Sequence, residues 1–447
     1  MSRHLELDRA AVPAATVLIR GARLLDPRTA LDGRADLLVR DGQIAEIGDA
    51  IDPPQGAEVI DAEGLHAVPA FVDPHVHLRT PGREDEEDID SGTRAAAAGG
   101  FCAILAQPNT EPVVDSASVL RSLRERARAE ARIPTGFLAA ITVGQQGERL
   151  TEMAELAETG AAGFTDDGLP VRSGGVMRQA LQYQRLADRM LALHEEDPSL
   201  SGQGAMHEGE VSALLGLAGI PSVSESAQVA RDCVLAAYED GRIHVQHLSA
   251  RETVEVIERA RAAGTQVTCE ATPHHLLLTD EAVRSLDTNF KMNPPLRGES
   301  DRQALIEALR SGAIDCVATD HAPHAREEKE QPFELAPMGV TGLETAFAAL
   351  HTELVLPGLI DLGLLVERMT AGGEPFGLPL PRIEQGAPAN ICLVDLDAEW
   401  EVGEAGYESR SANCAFAGRR LTGRVRMTIA AGAVAYRERT FALGAVA

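Results

Sequence analysis

Two histidines stand two residues apart in the stretch FVDPHVHLRTPG, His75 and His77, and Arg79 follows at the same spacing. Side chains at i and i+2 of a β-strand share a face. Both imidazoles could therefore point at one metal ion, with Arg79 alongside to receive an anionic group. A guanidinium suits a carboxylate because its planar fork binds both oxygens. Similar groups recur at the ends of other apolar runs: Asn109 in QPNT, Asp166 and Asp167 in GFTDDG, His194 in LALHEE, His247 in RIHVQHL, and Asp320 with His324 in ATDHAPH. Imidazole and carboxylate without thiolate make a donor set for zinc or a similar divalent ion. Any one of these histidines alone reads more simply as a hydrogen-bonded core residue. Burying five strands' worth of such groups together needs a compensating charge.

Something must bring these groups together. Eight short apolar runs, FVDPHVHL, CAILAQ, GFLAAIT, AGFTDD, LALHEE, RIHVQHL, QVTCEAT and DCVATDHAP, alternate with helix-like stretches such as SVLRSLRERARAEA and RETVEVIERARAAG. Eight βα units predict a (β/α)8 barrel, whose reactive groups gather at the C-terminal ends of its strands. No run is followed by a G-x-G-x-x-G loop, which argues against a doubly wound dinucleotide fold. The two ends of the chain read as short strands with turns instead. The expected organisation is residues 1–66 and 384–447 as two parts of a small β-sandwich domain flanking a barrel of residues 67–383. His244 lies three before His247, so an unbulged strand would send the two to opposite faces; His247, nearer the strand end, is the ligand candidate. His274 and His275 suit support or packing, His207 is a marginal candidate, and His4, His66 and His351 look incidental.

The bulk composition narrows the function. A formal net charge of −27 leaves no basic face for nucleic acid. The six cysteines contain no C-x-x-C pair, which suggests reduced thiols in a cytoplasmic protein. The N-terminal residues contain no apolar core of a signal peptide, and no run is long enough to span a membrane. The chain has only two lysines, Lys291 and Lys329.

Taken together, DPHVHLRTPG, QPNT, GFTDDG, LHEED, HVQHLSA, EATPHHLLLTDE, KMNPPLR, ATDHAPH and APMGVTGLET resemble, in order, the motifs of cyclic amidohydrolases of the type I bacterial dihydroorotase family. The resemblance implies reversible cyclisation of N-carbamoyl-L-aspartate to L-dihydroorotate in pyrimidine synthesis. It implies up to two zinc ions, one held by His75, His77 and Asp320, the other by His194 and His247, with Asp167 bridging. Asp166 would bridge instead if the strand is bulged. Relatives often bridge with a carboxylated lysine, but neither lysine here ends a barrel strand. By the same resemblance Asp320 is the general base, and a cation-activated water attacks the ring carbonyl. Arg79, Asn109 and His324 would bind the substrate's free carboxylate, His77 would also touch the substrate, and Asn293 and the backbone at Met338 and Gly339 would meet its ring. The charged stretch 324–338 reads as a mobile loop closing over the substrate. A homodimer is expected, and some relatives assemble with aspartate carbamoyltransferase. Gln107, Glu195 and Met338 depart from the usual motif. Allantoinase and hydantoinase are the rival activities. A non-catalytic partner role is disfavoured because all six ligand positions are filled.

Overall fold

A computed structural model describes residues 5–438; His4 lies outside the described residues. Five strands come first: β1 (Val17–Asp26), β2 (Leu31–Arg40), β3 (Gln43–Gly48), β4 (Glu58–Asp61) and β5 (His66–Pro69). β6 (Phe71–Val76), β7 (Phe101–Ala106), β8 (Thr135–Phe137), β9 (Gly163–Phe164) and β10 (Met190–Leu193) then alternate with helices. A small parallel pair, β11 (Met206–His207) and β12 (Gly219–Ile220), interrupts the alternation. The central series resumes with β13 (Arg242–Val245), β14 (Gln266–Ala271) and β15 (Cys316–Val317), and β16 (Ile391–Glu401), β17 (Arg420–Ala430) and β18 (Ala433–Arg437) end the described chain. The protein is thus a mixed α/β chain.

Both ends of the chain share one sheet of eight strands, ordered β18-β17-β16-β5-β1-β2-β3, with β4 beside β1. β5 is the join: it runs parallel to β1 and antiparallel to β16, with Ile391 opposite Pro69. The sheet therefore extends to Pro69, past the expected boundary at residue 66. Its free edge turns back on the chain before β16, where Ile44 N donates to Ala387 O at 2.9 Å and Ala389 N to Gly42 O at 2.9 Å. One face packs Val17, Ile19, Leu37, Ile60, Ile391 and Ile429 into a common apolar cluster.

All eight predicted apolar runs form the central strands. β6, β7 and β8 pair in parallel, and so do β9, β10, β13, β14 and β15. A parallel bridge from Ala139 to Phe164 joins β8 to β9, and another from Val76 to His321 joins the end of β15 back to β6. The pairings close into a circuit. Asp73 reinforces the last junction: its carboxylate accepts from Thr319 Oγ1 at 2.6 Å and from the His75 N–H at 3.0 Å. That one side chain links the strand bearing His75 to the one leading to Asp320.

The intervening helices obey their apolar stripes. In Ala117–Glu130, Leu120, Leu123 and Ala127 are buried while Arg121 and Arg128 face outward. Ile89–Ala98 starts on a capping box, with Asp88 accepting from Ser91 N and Ser91 Oγ from Asp88 N. Among the described residues no helix is long and apolar enough to cross a membrane.

Candidate metal centre and substrate pocket

The strand ends bring the predicted ligands together. Asp167 sits centrally. Its Oδ1 lies 3.5 Å from His75 Nε2, 3.6 Å from His194 Nδ1 and 3.5 Å from His247 Nε2. Its Oδ2 faces His77 Nε2 at 3.4 Å. Asp320 Oδ1 completes the other side, 3.1 Å from His77 Nε2 and 3.3 Å from His75 Nε2. One carboxylate thus turns Oδ1 toward three imidazoles and Oδ2 toward a fourth. Asp166 points elsewhere: it accepts from Thr142 N at 3.0 Å and from the Thr142 hydroxyl.

Two features show that these residues fit divalent cations. His75 Nε2 and Asp167 Oδ1 are buried without a hydrogen-bond partner. His194 Nδ1 and His247 Nε2 face each other at 2.9 Å, so two lone pairs converge where an ion could receive both. The electrostatics agree. Burial would raise Asp167 and Asp320, yet the surrounding histidines hold both well below the usual carboxylate range. Burial would lower His75, but Asp167, Asp320 and Glu270 hold it well above its ordinary value. The cluster is short of positive charge, which cations supply.

The ring orientations are set from behind. Glu270 Oε1 accepts from His75 Nδ1 at 2.7 Å, and Asn109 Oδ1 accepts from His77 Nδ1 at 2.8 Å. Each contact fixes the tautomer that leaves Nε2 bare toward the centre. Burial pushes Glu270 up, but His75 and His244 bring it down to about 2. Asn293 Nδ2 lies 3.4 Å from His194 Nε2, and its Oδ1 is buried without a partner. Exchanging the two amide atoms would let that oxygen accept the Nε2–H.

His244 corrects a sequence expectation. It does not point away from the strand interior but binds Glu270 Oε2 at 3.0 Å and Thr268 Oγ1 at 2.8 Å, one layer beneath His75. The alternation fails because His247 has φ +33°, a left-handed turn that sends its ring inward as well. Asp320 (φ +47°) and Arg79 (φ +53°) share this rare conformation. Three site residues carrying backbone strain are consistent with function at these strand ends.

Beside the centre lie the two side chains expected to receive an anion. Arg79 is half-buried; its Nε donates to Pro323 O at 3.0 Å and pairs with Glu86 Oε2 at 3.2 Å. Its guanidinium comes within 3.4 Å of His324 Nε2. His324 Nε2 donates to Met338 O at 2.9 Å, and its Nδ1 lies 3.3 Å from both Glu86 and Glu328. The backbone at 338–339, expected to meet a substrate ring, is engaged within the protein: Gly339 N donates to Lys291 O at 2.9 Å. The segment 324–338, expected to be mobile, contains a short helix, Arg326–Lys329, and is tied down by that helix's lysine.

Other candidates fall outside the centre. His207 approaches Arg297, His351 binds Thr422 O, and His275 is held between Thr272 and the Pro294 carbonyl. Burial lowers His274 to about 4. Glu195 is buried, and burial with Asp232 nearby pushes it well up. Sequence reasoning missed Glu270, Glu86 and Asn413. Glu270 had a signal, since it lies two residues after Thr268 at a strand end. Asn413 had none: it stands in the loop between β16 and β17, and its Oδ1 accepts from His324 N at 3.1 Å.

A dihydro-orotase-like family model matches residues 64–253. A dihydroorotase of Geobacter metallireducens is 43% identical over 94% of this chain and 100% of its own length. One of Anaeromyxobacter dehalogenans is 44% identical over 94% of this chain and 98% of its own. Among solved structures, an L-hydantoinase (dihydropyrimidinase) from Arthrobacter aurescens superposes with a TM-score of 0.83 at 25% identity, covering 94% of this chain and 96% of its own. A dihydropyrimidinase from Brevibacillus agri does so with a TM-score of 0.81 at 24% identity, covering 94% and 95%. Full-length identity at this level, on a chain whose imidazoles and carboxylates converge as described, places the protein in the dihydroorotase family of cyclic amidohydrolases.

Proposed function

We propose that this chain is a dihydroorotase, closing N-carbamoyl-L-aspartate to L-dihydroorotate and water and reopening it. The observation that carries the reading is Arg79 beside His324 at 3.4 Å, next to the Asp167-centred cluster, which together suit an anion and cations side by side. Dihydroorotate has a free carboxylate for the first and a ring amide for the second. Hydantoins generally lack that carboxylate, so a hydantoinase would bring no substrate group for Arg79 to receive.

The strand circuit is read as a (β/α)8 barrel of residues 67–383, and the curled terminal sheet as the sandwich-like domain of 1–66 and 384–447. His75, His77 and Asp320 would hold one zinc, His194 and His247 a second, and Asp167 both. When bound, such ions supply Lewis acidity and a water acidic enough to ionise near neutral pH. Arg79 and His324 would orient the substrate by its carboxylate, with Asn109 keeping His77 in register. Asp320, beside both His75 and His77, would take the proton of the attacking water and deliver it to the leaving ring nitrogen. In the synthetic direction the same carboxylate receives the nitrogen's proton and returns it to the departing oxygen.

Assaying purified protein on dihydroorotate, allantoin, hydantoin and dihydrouracil side by side tests the assignment. Turnover of dihydroorotate is expected to dominate, and none at all would end the proposal. Asp320→Asn is expected to lower kcat by about 10²–10⁴-fold. Asp167→Ala, followed by metal analysis, is expected to lose metal and activity together.

A further inference from the structure

Only two lysines occur in 447 residues, and both hold one segment with backbone carbonyls rather than with carboxylates. Lys291 Nζ donates to Glu334 O at 3.0 Å and Ala336 O at 2.7 Å. Lys329 Nζ donates to Gly339 O at 2.9 Å, Pro337 O at 3.1 Å and Lys291 O at 3.4 Å. A second group reaches the same carbonyl from the far end of the chain. Asn413 Nδ2 donates to Gly339 O at 3.1 Å and to Ala322 O at 3.1 Å, while its Oδ1 takes the His324 N–H. Gly339 needs this restraint and permits it: its φ is +135°, and a Cβ there would stand 2.9 Å from His324 Nε2. Lys329, Asn413 and His324 also line one cavity of about 700 Å³ beside the anion pocket.

We propose that the Lys329 ammonium and the Asn413 carboxamide are positioning residues for the substrate. Together they fix the Gly339 carbonyl, and with it the face of the pocket on which His324 meets the substrate's anionic end. The argument rests on the dihydroorotase reading for the identity of that substrate, but the clamp itself does not. His324 is gripped at both ends: its backbone N–H by Asn413 and its ring Nε2–H by the Met338 carbonyl, next to the doubly held Gly339. Release of either grip lets the ring leave Arg79. Burial pulls Lys329 down to about 7, with Lys291 adding to the fall and Asp287 and Glu328 opposing it. An amine kept in so unfavourable a place is compensated by the three carbonyl dipoles that it organises.

The lysine count makes the test clean, because an endoproteinase specific for lysine can cut this chain only after Lys291 and Lys329. The native protein is expected to resist, and Asn413→Ala to be cut after Lys329 about 10-fold faster as the segment opens. In turnover of dihydroorotate, Asn413→Ala and Lys329→Met are expected to raise KM about 10-fold with kcat and metal content near wild type, and Lys329→Arg to recover most of the loss. Unchanged cleavage together with unchanged KM would overturn the clamp, as would a fall in kcat that tracks lost metal and lost thermal stability. If wild-type protein fails on dihydroorotate, the substrate reading falls while the cleavage comparison still decides the clamp.

Discussion

Glu270 shows what a single residue can settle at this site. It touches no expected substrate, yet it holds His75 by Nδ1 and His244 by Nε2 and accepts from the His247 N–H at 3.3 Å. Its charge fixes which nitrogen of His75 faces the centre of the cluster. Glu270→Gln keeps the shape but removes the charge that favours the His75 Nδ1–H. Metal affinity is expected to fall roughly 10–100-fold, measured by competition with a chromophoric chelator. Unaltered affinity would mean that the His75 ring is oriented by packing alone. The choice between Asp166 and Asp167 belongs to the same scale. Adjacent acids on a strand face opposite ways, and Thr142 claims the first, leaving the second for the centre.

At the level of elements, the strands' inner faces carry a polar layer beneath the ligands. Thr165 Oγ1 donates to Gln246 Oε1 at 3.0 Å, Gln246 Nε2 to Gln107 Oε1 at 3.3 Å, and Gln107 Nε2 to Pro74 O at 3.4 Å. The three side chains span the strand circuit from the end of β9 through the end of β13 to β7. Gln107 departs from the motif, and Gln246 is its partner, so the two form a matched buried pair. Gln107→Met would remove one acceptor of the Gln246 amide, which keeps Thr165 and lies 3.2 Å from His75 Nδ1, and is expected to cost about 1 kcal/mol in urea denaturation. Adding Gln246→Leu should recover part of that, since removing both partners is cheaper than removing one. A double variant no more stable than the single would show that the two amides are independent.

On the scale of the whole molecule, the loop between β16 and β17 reaches back onto the central unit. Asn413 accepts from the His324 N–H at 3.1 Å, the Ser411 hydroxyl donates to Glu86 O at 2.7 Å, and Glu344 accepts the N–H groups of Glu408 at 3.0 Å and Ser409 at 3.1 Å. Burial pushes Glu344 up to about 7, against those two donors. The folded protein therefore holds this proton more tightly than the unfolded chain, whose glutamates titrate near ~4.3. Stability from this group is present at low pH and lost as pH rises between ~4.3 and about 7, on the order of 4 kcal/mol in all. Glu344→Gln is expected to flatten that part of the stability–pH curve, read from urea midpoints at about pH 5 and about pH 7.5. Equal slopes in the two proteins would place the proton elsewhere.

Residue types and their spacing alone announced the chemistry. Eight apolar runs became eight strands, and the groups at their ends met, because strand alternation and the gathering of strand ends at one face are local rules that a linear pattern obeys. The His-x-His pair and the acids at the strand ends could be listed as candidates for that reason, whereas the separate roles of Asp167 and Asp320 followed from the family resemblance. His244 could not be placed, because a left-handed residue at His247 breaks the alternation and nothing local marks it. Asn413 and Glu86 were equally silent, since a loop residue acquires its role only from what folding sets against it. The sequence by itself determined the donor set, its charge and the strand ends that carry it. Tertiary structure alone decided which nitrogen each imidazole turns inward and which distant side chains hold the pocket, because hydrogen-bond partners far apart in the chain are chosen by three-dimensional closure rather than by spacing.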